Sequence, residues 1–149
     1  MAKQIFVNLP VKGLNRTVDF FTKLGFTFNP QFTDEHATCM IVGENIFVML
    51  LVEKFYKTFI PNHEIADARK TSQVLIAIDV ESRADVDALV DKALKAGGTK
   101  HRDADDHGWM YSKSFADLDG HVWEILFADE SLLQGQNAGD AAREKSQHA

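Results

Sequence analysis

Cysteine is nearly absent from this chain: Cys39 stands alone among 149 residues, so no disulfide can close within it. It lies in the apolar run Thr38-Cys39-Met40-Ile41-Val42, where a thiol packs as a small hydrophobe. The electropositive surroundings that activate a nucleophilic thiol are missing there. Long apolar runs are missing as well. No segment approaches the about 18 consecutive apolar residues that span a membrane, and the opening MAKQIFVNLPV lacks the form of a secretory signal. A cytoplasmic protein is therefore expected. Clustered basic residues are also absent. Lys and Arg number 16 against 22 Asp and Glu, a net charge of −6, and phosphate backbones need the opposite balance. Lys92, Lys95, Lys100 and Arg102 are interrupted by acids and read as a solvated face, so nucleic acid is excluded as a partner.

What is present suits one globular domain. Apolar residues make up 45% of the chain, and eleven Phe supply bulky core material. The pattern then runs twice. Ile5 to Val11 is a β-branched, apolar strand ending at Lys12-Gly13. Asn15 is placed to cap a helix with Val18, Phe21 and Leu24 on one face, and Gly25 stops it. Strands are predicted over Phe26 to Phe32, His36 to Val42 and Ile46 to Val52, with Gly43-Glu44-Asn45 as a tight turn. The second half starts with an apolar strand from Val74 to Val80. Ser82 and Asp85 open a helix in capping-box fashion. Val86, Leu89, Val90, Ala93 and Leu94 form its stripe, and Gly97-Gly98 ends it. Strands follow near Thr99 to Arg102, Trp109 to Phe115 and Val122 to Phe127, the last after the turn Asp119-Gly120-His121.

The expected architecture is α+β: two tandem βαβββ modules, about 5–53 and 73–128, forming curled mixed sheets around a cleft within one domain over 1–128. Residues 129–149 are polar and read as a tail. The two halves end alike. Gly43-Glu44-Asn45-Ile46-Phe47-Val48 matches Gly120-His121-Val122-Trp123-Glu124 once a turn residue is removed, which sets Val48 opposite Glu124.

The stretch Asp117-Leu118-Asp119-Gly120-His121-Val122-Trp123-Glu124-Ile125 resembles the D-x-D-G-x-x-x-E-[IL] signature of the vicinal oxygen chelate superfamily. That superfamily comprises the glyoxalase, bleomycin-resistance and extradiol dioxygenase proteins. Residues 11–26 are similar to its first strand–helix unit, and the resemblance covers roughly residues 4–128, closest to predicted lactoylglutathione lyases. It implies the glyoxalase-like fold and, in catalytic members, a divalent ion held by His and Glu from several strands. Such an ion polarises vicinal substrate oxygens and stabilises an enediolate or oxyanion.

By that resemblance Glu124 is the C-terminal metal carboxylate, sharing a strand face with Val122 and Leu126. The first-strand histidine falls near Phe6, and the fifth-strand one near Leu75 or, with a register slip, at Gln73. Phe and Leu are not ligands, and amides such as Asn8 or Gln73 bind Zn, Ni or Fe weakly. A divalent metal (Zn, Ni, Mn or Fe) then has only Glu124, with His107 and His36 as substitute ligands. Those two histidines, in Asp34-Glu35-His36 and Asp105-Asp106-His107, precede equivalent strands and either meet in one cleft or sit at opposite rims. His121, on a turn, is expected at the surface.

The run Asp106-His107-Gly108-Trp109-Met110-Tyr111 is the other candidate wall. Trp109 and Tyr111 are amphipathic aromatics, and His107 serves as acid, base or donor near neutral pH. The expected function is binding of a small organic ligand between the modules. Glu124 and His107 would be catalytic in a lyase or isomerase step, and Asn8, Gln73, Trp109 and Tyr111 would bind ligand. The alternatives are a non-catalytic, ligand-sequestering protein of bleomycin-resistance type, or an interaction module whose cleft is filled by its own side chains. The resemblance also implies a homodimer.

Overall fold

In the computed structural model, which describes residues 1–132, the expected pattern is present twice. The first half runs β1 (Ile5–Val11), α1 (Leu14–Lys23), β2 (Thr27–Asn29), β3 (Ala37–Gly43) and β4 (Ile46–Val52). A short helix α2 (Glu53–Phe59) opens the linker. The second half runs β5 (Leu75–Asp79), α3 (Arg83–Lys95), β6 (Thr99–Lys100), β7 (Asp105–Asp106), β8 (Met110–Ala116) and β9 (Val122–Ala128). The first sheet has the order β1-β4-β3-β2 and the second β5-β9-β8-β6, with the short β7 also pairing β8. In each sheet the first strand lies parallel to the last, and the remaining pairs are antiparallel. This is the α+β, glyoxalase-like architecture anticipated above, with both sheets open. The greater part of the expected tail lies outside the described residues.

Local chemistry explains where elements stop. The strand expected over Phe26 to Phe32 ends at Asn29, because Pro30 has no N–H for a ladder; a 3₁₀ turn, Pro30–Phe32, follows. Pro10 sits inside β1 without harm because β1 is an edge strand. Its carbonyl turns outward, where His121 Nε2–H donates to it at 2.7 Å. Ser82 caps α3 as expected, its hydroxyl accepting from the Asp85 amide at 3.0 Å.

α1 departs from expectation. Asn15 lies within the helix; the cap position is Gly13, which has no side chain to offer. No side chain caps the helix; Asp119 in the other module instead holds the chain just before it and the side chains of its first turn. It accepts from the Lys12 amide at 2.9 Å and from Thr17 Oγ1 at 3.3 Å, and pairs with Arg16 at 3.3 Å. An anion at this end also complements the helix dipole, and α1 has no acid of its own in the first turn.

One core joins both halves. Thr17, Phe20 and Phe21 form the buried stripe of α1, and Leu24 at its C-cap continues it at i+7. Phe20 meets Phe115 of β8 at 6.1 Å between ring centroids, and Phe21 meets Trp123 of β9 at 5.2 Å. Leu9, Met40, Val48, Leu50, Val86 and Ile125 complete the cluster from both modules.

Because Asp119 ties the modules together at a nearly buried point, the Asp119→Ala variant is expected to lose about 2–3 kcal/mol of stability. Asp119→Asn, which retains acceptor geometry, is expected to lose roughly half as much. Urea unfolding followed by Trp fluorescence measures both. A loss in Asp119→Ala no larger than in an exposed control such as Asp91→Ala would show that the tie carries no stability.

Candidate ligand site between the two modules

Strand alternation sorts the side chains onto two faces. In the second sheet, Phe115, Trp123 and Ile125 enter the core. Val122, Glu124 and Leu126 of β9 therefore share the other, open face with Leu75 and Ala77 of β5 and Ser112 and Ser114 of β8, which are their registered neighbours. In the first sheet Phe6, Asn8, Phe47 and Met49 occupy that face. Asn8 pairs with Met49 as Ala77 pairs with Glu124, so the first-half counterpart of Glu124 is Met49. The expected counterpart, Val48, belongs to the core. Removing a turn residue from the alignment shifts it by one, and a one-residue shift exchanges the faces of a strand.

Glu124 is 14% exposed and is already occupied. Arg102 donates from Nε and Nη2 to its two oxygens, each at 3.1 Å, and the carboxylate in turn holds the guanidinium above its already high pKa. Arg102 Nη1 lies 3.8 Å from Asp105 Oδ2, and Asp105 Oδ1 lies 3.0 Å from His107 Nε2. Glu124 and His107 thus belong to one chain of polar contacts, through Asp105 and Arg102, which the sequence alone assigns to a solvated face. His36 is engaged elsewhere: its Nε2 is 3.3 Å from Glu35, and its ring lies near Phe55.

The family's metal does not fit these residues. Phe6 and Leu75 are apolar, 46% and 59% exposed, and Met49 replaces the matching first-half position. The remaining carboxylate is neutralised by a bidentate arginine. Among the described residues no three His, Cys, Asp or Glu side chains are grouped to hold an ion.

Tyr111 points away from Glu124. Its hydroxyl donates to Asp87 of α3 at 2.6 Å, and the Arg83 guanidinium lies 4.3 Å from its ring centre. It braces α3 against β8 instead of lining the open face. Gly108, at φ +79°, takes the left-handed conformation, and the Trp109 carbonyl accepts from the Asp129 amide at 2.7 Å.

Asn8 and Gln73 do meet, in a cavity of about 230 Å³ where the edge of β1 passes the start of β9. Pro10, Tyr56, Ile60 and His121 contribute further walls. His121 is therefore buried, contrary to expectation, with its ring on the Pro10 carbonyl. Sequence reasoning missed α2, which brings Tyr56 here. The i, i+4 pair Phe55 and Phe59 behind Val52 was the available signal.

The signature turn shapes this wall. The Asp117 carboxylate is buried, and desolvation pushes its pKa up against the pull of its hydrogen bonds. It accepts from the amides of Asp119 and His121 and from Trp123 Nε1, at 2.9 to 3.0 Å. Gly120 adopts φ +91°, and a Cβ there would lie 2.9 Å from the Arg69 amide nitrogen, so only glycine lets the linker pass.

The family model for the Glyoxalase/Bleomycin resistance protein/Dioxygenase superfamily matches residues 3–125. The chain belongs to that superfamily. Among solved structures it is similar to a hypothetical protein from S. aureus, with 28% identity and a TM-score of 0.72 over 86% of this chain and 95% of that one. A glyoxalase-related enzyme from Fulvimarina pelagi shares its fold at 21% identity and TM-score 0.70, over 85% and 88% of the two chains. So does a fosfomycin resistance protein from Mesorhizobium loti, at 17% identity and TM-score 0.62, over 86% and 94%. No curated protein matches by sequence.

Asp87 offers a check on the placement of Tyr111. Hydrogen bonds from Lys113 and then Tyr111 lower its pKa. A lowered carboxyl pKa contributes stability above the unfolded value, about 3.9, and loses it as pH falls through the folded value. The carboxylate is 48% exposed, so Asp87→Asn is expected to cost under about 1 kcal/mol at pH 7. That difference is expected to shrink steadily as pH falls below the unfolded value in urea unfolding at each pH. A cost that stays constant with pH would remove the charge from the account.

Proposed function

We propose that this protein binds a small organic molecule in the cavity between its modules, without the metal chemistry of its catalytic relatives. The carrying observation is the division of polar groups. Glu124, the one residue at a family metal position able to ligate, is tied up by Arg102, whereas Asn8, Gln73, Glu64 and His121 line a cavity with Pro10, Ile60 and Val122 as apolar walls, Asn8 and His121 also bonding the Phe6 and Pro10 carbonyls. A pocket of mixed apolar and polar walls suits an organic ligand. The non-catalytic, ligand-sequestering mode of the bleomycin-resistance type follows.

A lyase or isomerase step is the second reading, favoured by the chain of polar contacts that links Glu124 to His107. For Glu124 to act as a base, Arg102 would first have to swing away. A homodimer belongs to the same proposal. Phe6 and Phe47, stacked at 5.0 Å on the open face of the first sheet, and Leu75 on that of the second, are apolar surfaces that a second copy would cover.

Calorimetric titration of metal-stripped protein with Ni, Zn, Mn and Fe(II), beside Glu124→Ala, tests the division. Dissociation constants weaker than about 10 μM, unchanged in the variant, are expected of a carboxylate already paired. Lactoylglutathione formation from methylglyoxal and glutathione is expected to stay at background. Sub-micromolar binding lost in Glu124→Ala, or metal-dependent turnover, would replace this reading with the metalloenzyme one. Light scattering behind a sizing column reads the dimer, and Phe6→Glu is expected to shift it toward monomer.

A further inference from the structure

Beside the seam cavity, a groove of about 580 Å³ carries a charge balance opposite to that of the whole molecule. The chain has 22 acids to 16 Lys and Arg, yet Arg16, Arg69, Lys70 and Lys100 line this groove together with His101. The only carboxylate in its lining is Asp117, whose two oxygens are already bound by three N–H groups. Arg16 and Lys100 have carboxylate partners, Asp119 and Asp103. Arg69 donates to the Leu118 carbonyl and, like Lys70, has no carboxylate within ion-pair distance among the described residues. The sequence scattered these cations over residues 16, 69–70 and 100–101, and only the fold collects them.

The groove and the cavity adjoin. Ala68, Thr71, Ser72, Gly120 and Val122 line both, so the linker running past Gly120 forms their common rim. The cavity itself carries one acid, Glu64, so a molecule longer than the cavity would cross that rim with its apolar body against Tyr56 and Ile60 and its charged end among the cations.

We infer that the ligand of the seam cavity is an anion: an apolar or aromatic body in the cavity and a carboxylate, phosphate or sulfonate group held in the basic groove by Arg69 and Lys70. This rests on the ligand-binding reading above and narrows it to one class. Cationic ligands are disfavoured there, because like charge in the groove raises their cost. Arg69 supplies the planar, multi-donor end suited to an oxyanion, and Lys70 a point charge.

A matched pair of probes separates the two claims. 1-Anilinonaphthalene-8-sulfonate and N-phenyl-1-naphthylamine share an aromatic body and differ by the sulfonate. Titrated by fluorescence, the sulfonate is expected to bind about tenfold more tightly than the neutral amine at low salt and to lose that advantage as salt rises. Lys70→Gln is expected to weaken the sulfonate about fivefold and leave the amine within about twofold. Lys92→Gln, on the exposed side of α3, is expected to change neither, and Tyr56→Ala to weaken both alike. If the amine binds and the sulfonate shows no salt or Lys70 dependence, the anionic class is overturned and the cavity stands. Inorganic phosphate or sulfonate binding through Lys70 without amine binding would keep the groove and overturn the cavity. No binding of either probe would overturn both.

Discussion

The two modules are held to one geometry by a carboxylate placed at the start of a helix it does not belong to. α1 begins at a glycine, has no acid in its first turn, and receives Asp119 from the turn between β8 and β9. That turn is fixed by the buried Asp117 carboxylate, which gathers two amides of its own loop and the Trp123 indole. Trp123 then reaches Phe21 on α1. One loop therefore sets the position of the first helix from two sides, through an ion at its start and an aromatic contact in its last turn. The same loop carries Gly120 and His121 and so also builds the wall of the seam cavity. The family signature is thus structural in most of its residues, and only Glu124 stands at a place where chemistry is expected.

At that place the counter-cation is an arginine. A carboxylate on a half-closed sheet face needs a partner. With Phe6, Met49 and Leu75 offering no donors, a metal ion would meet too few ligands there, whereas the bidentate guanidinium satisfies both oxygens. The open face is organised by internal ion pairs, and the cavity lies at the edge of β1.

Much of the fold was legible in the chain. The repeated order of strands and helix, the Ser82 cap, the glycine stops and the final strand rest on short-range rules: periodicity, capping and turn chemistry act over a few residues. Errors came where a partner lay far away in sequence. Asn15 was the nearest candidate to cap α1, but no side chain caps it, and the start of the helix is held by a carboxylate 104 positions beyond Asn15, which no local rule reveals. Val48 was set against Glu124 by a one-residue gap whose only consequence, the exchange of faces, becomes visible in the strand register.

The site divides in the same way. Sequence alone named Glu124, Asn8, Gln73 and His107 as residues whose chemistry wanted a role, and it ruled out a ligand set from Phe6 and Leu75. It could not say that Arg102 would close on Glu124, that Tyr111 would turn to Asp87, or that Arg16, Arg69, Lys70 and Lys100 would gather in one groove. The reason is physical. Hydrophobic periodicity fixes which face of an element is buried, because that preference is summed over many residues. Where a single charge ends up depends on one partner at about 3 Å, and that partner is delivered only when distant strands, loops and helices have packed.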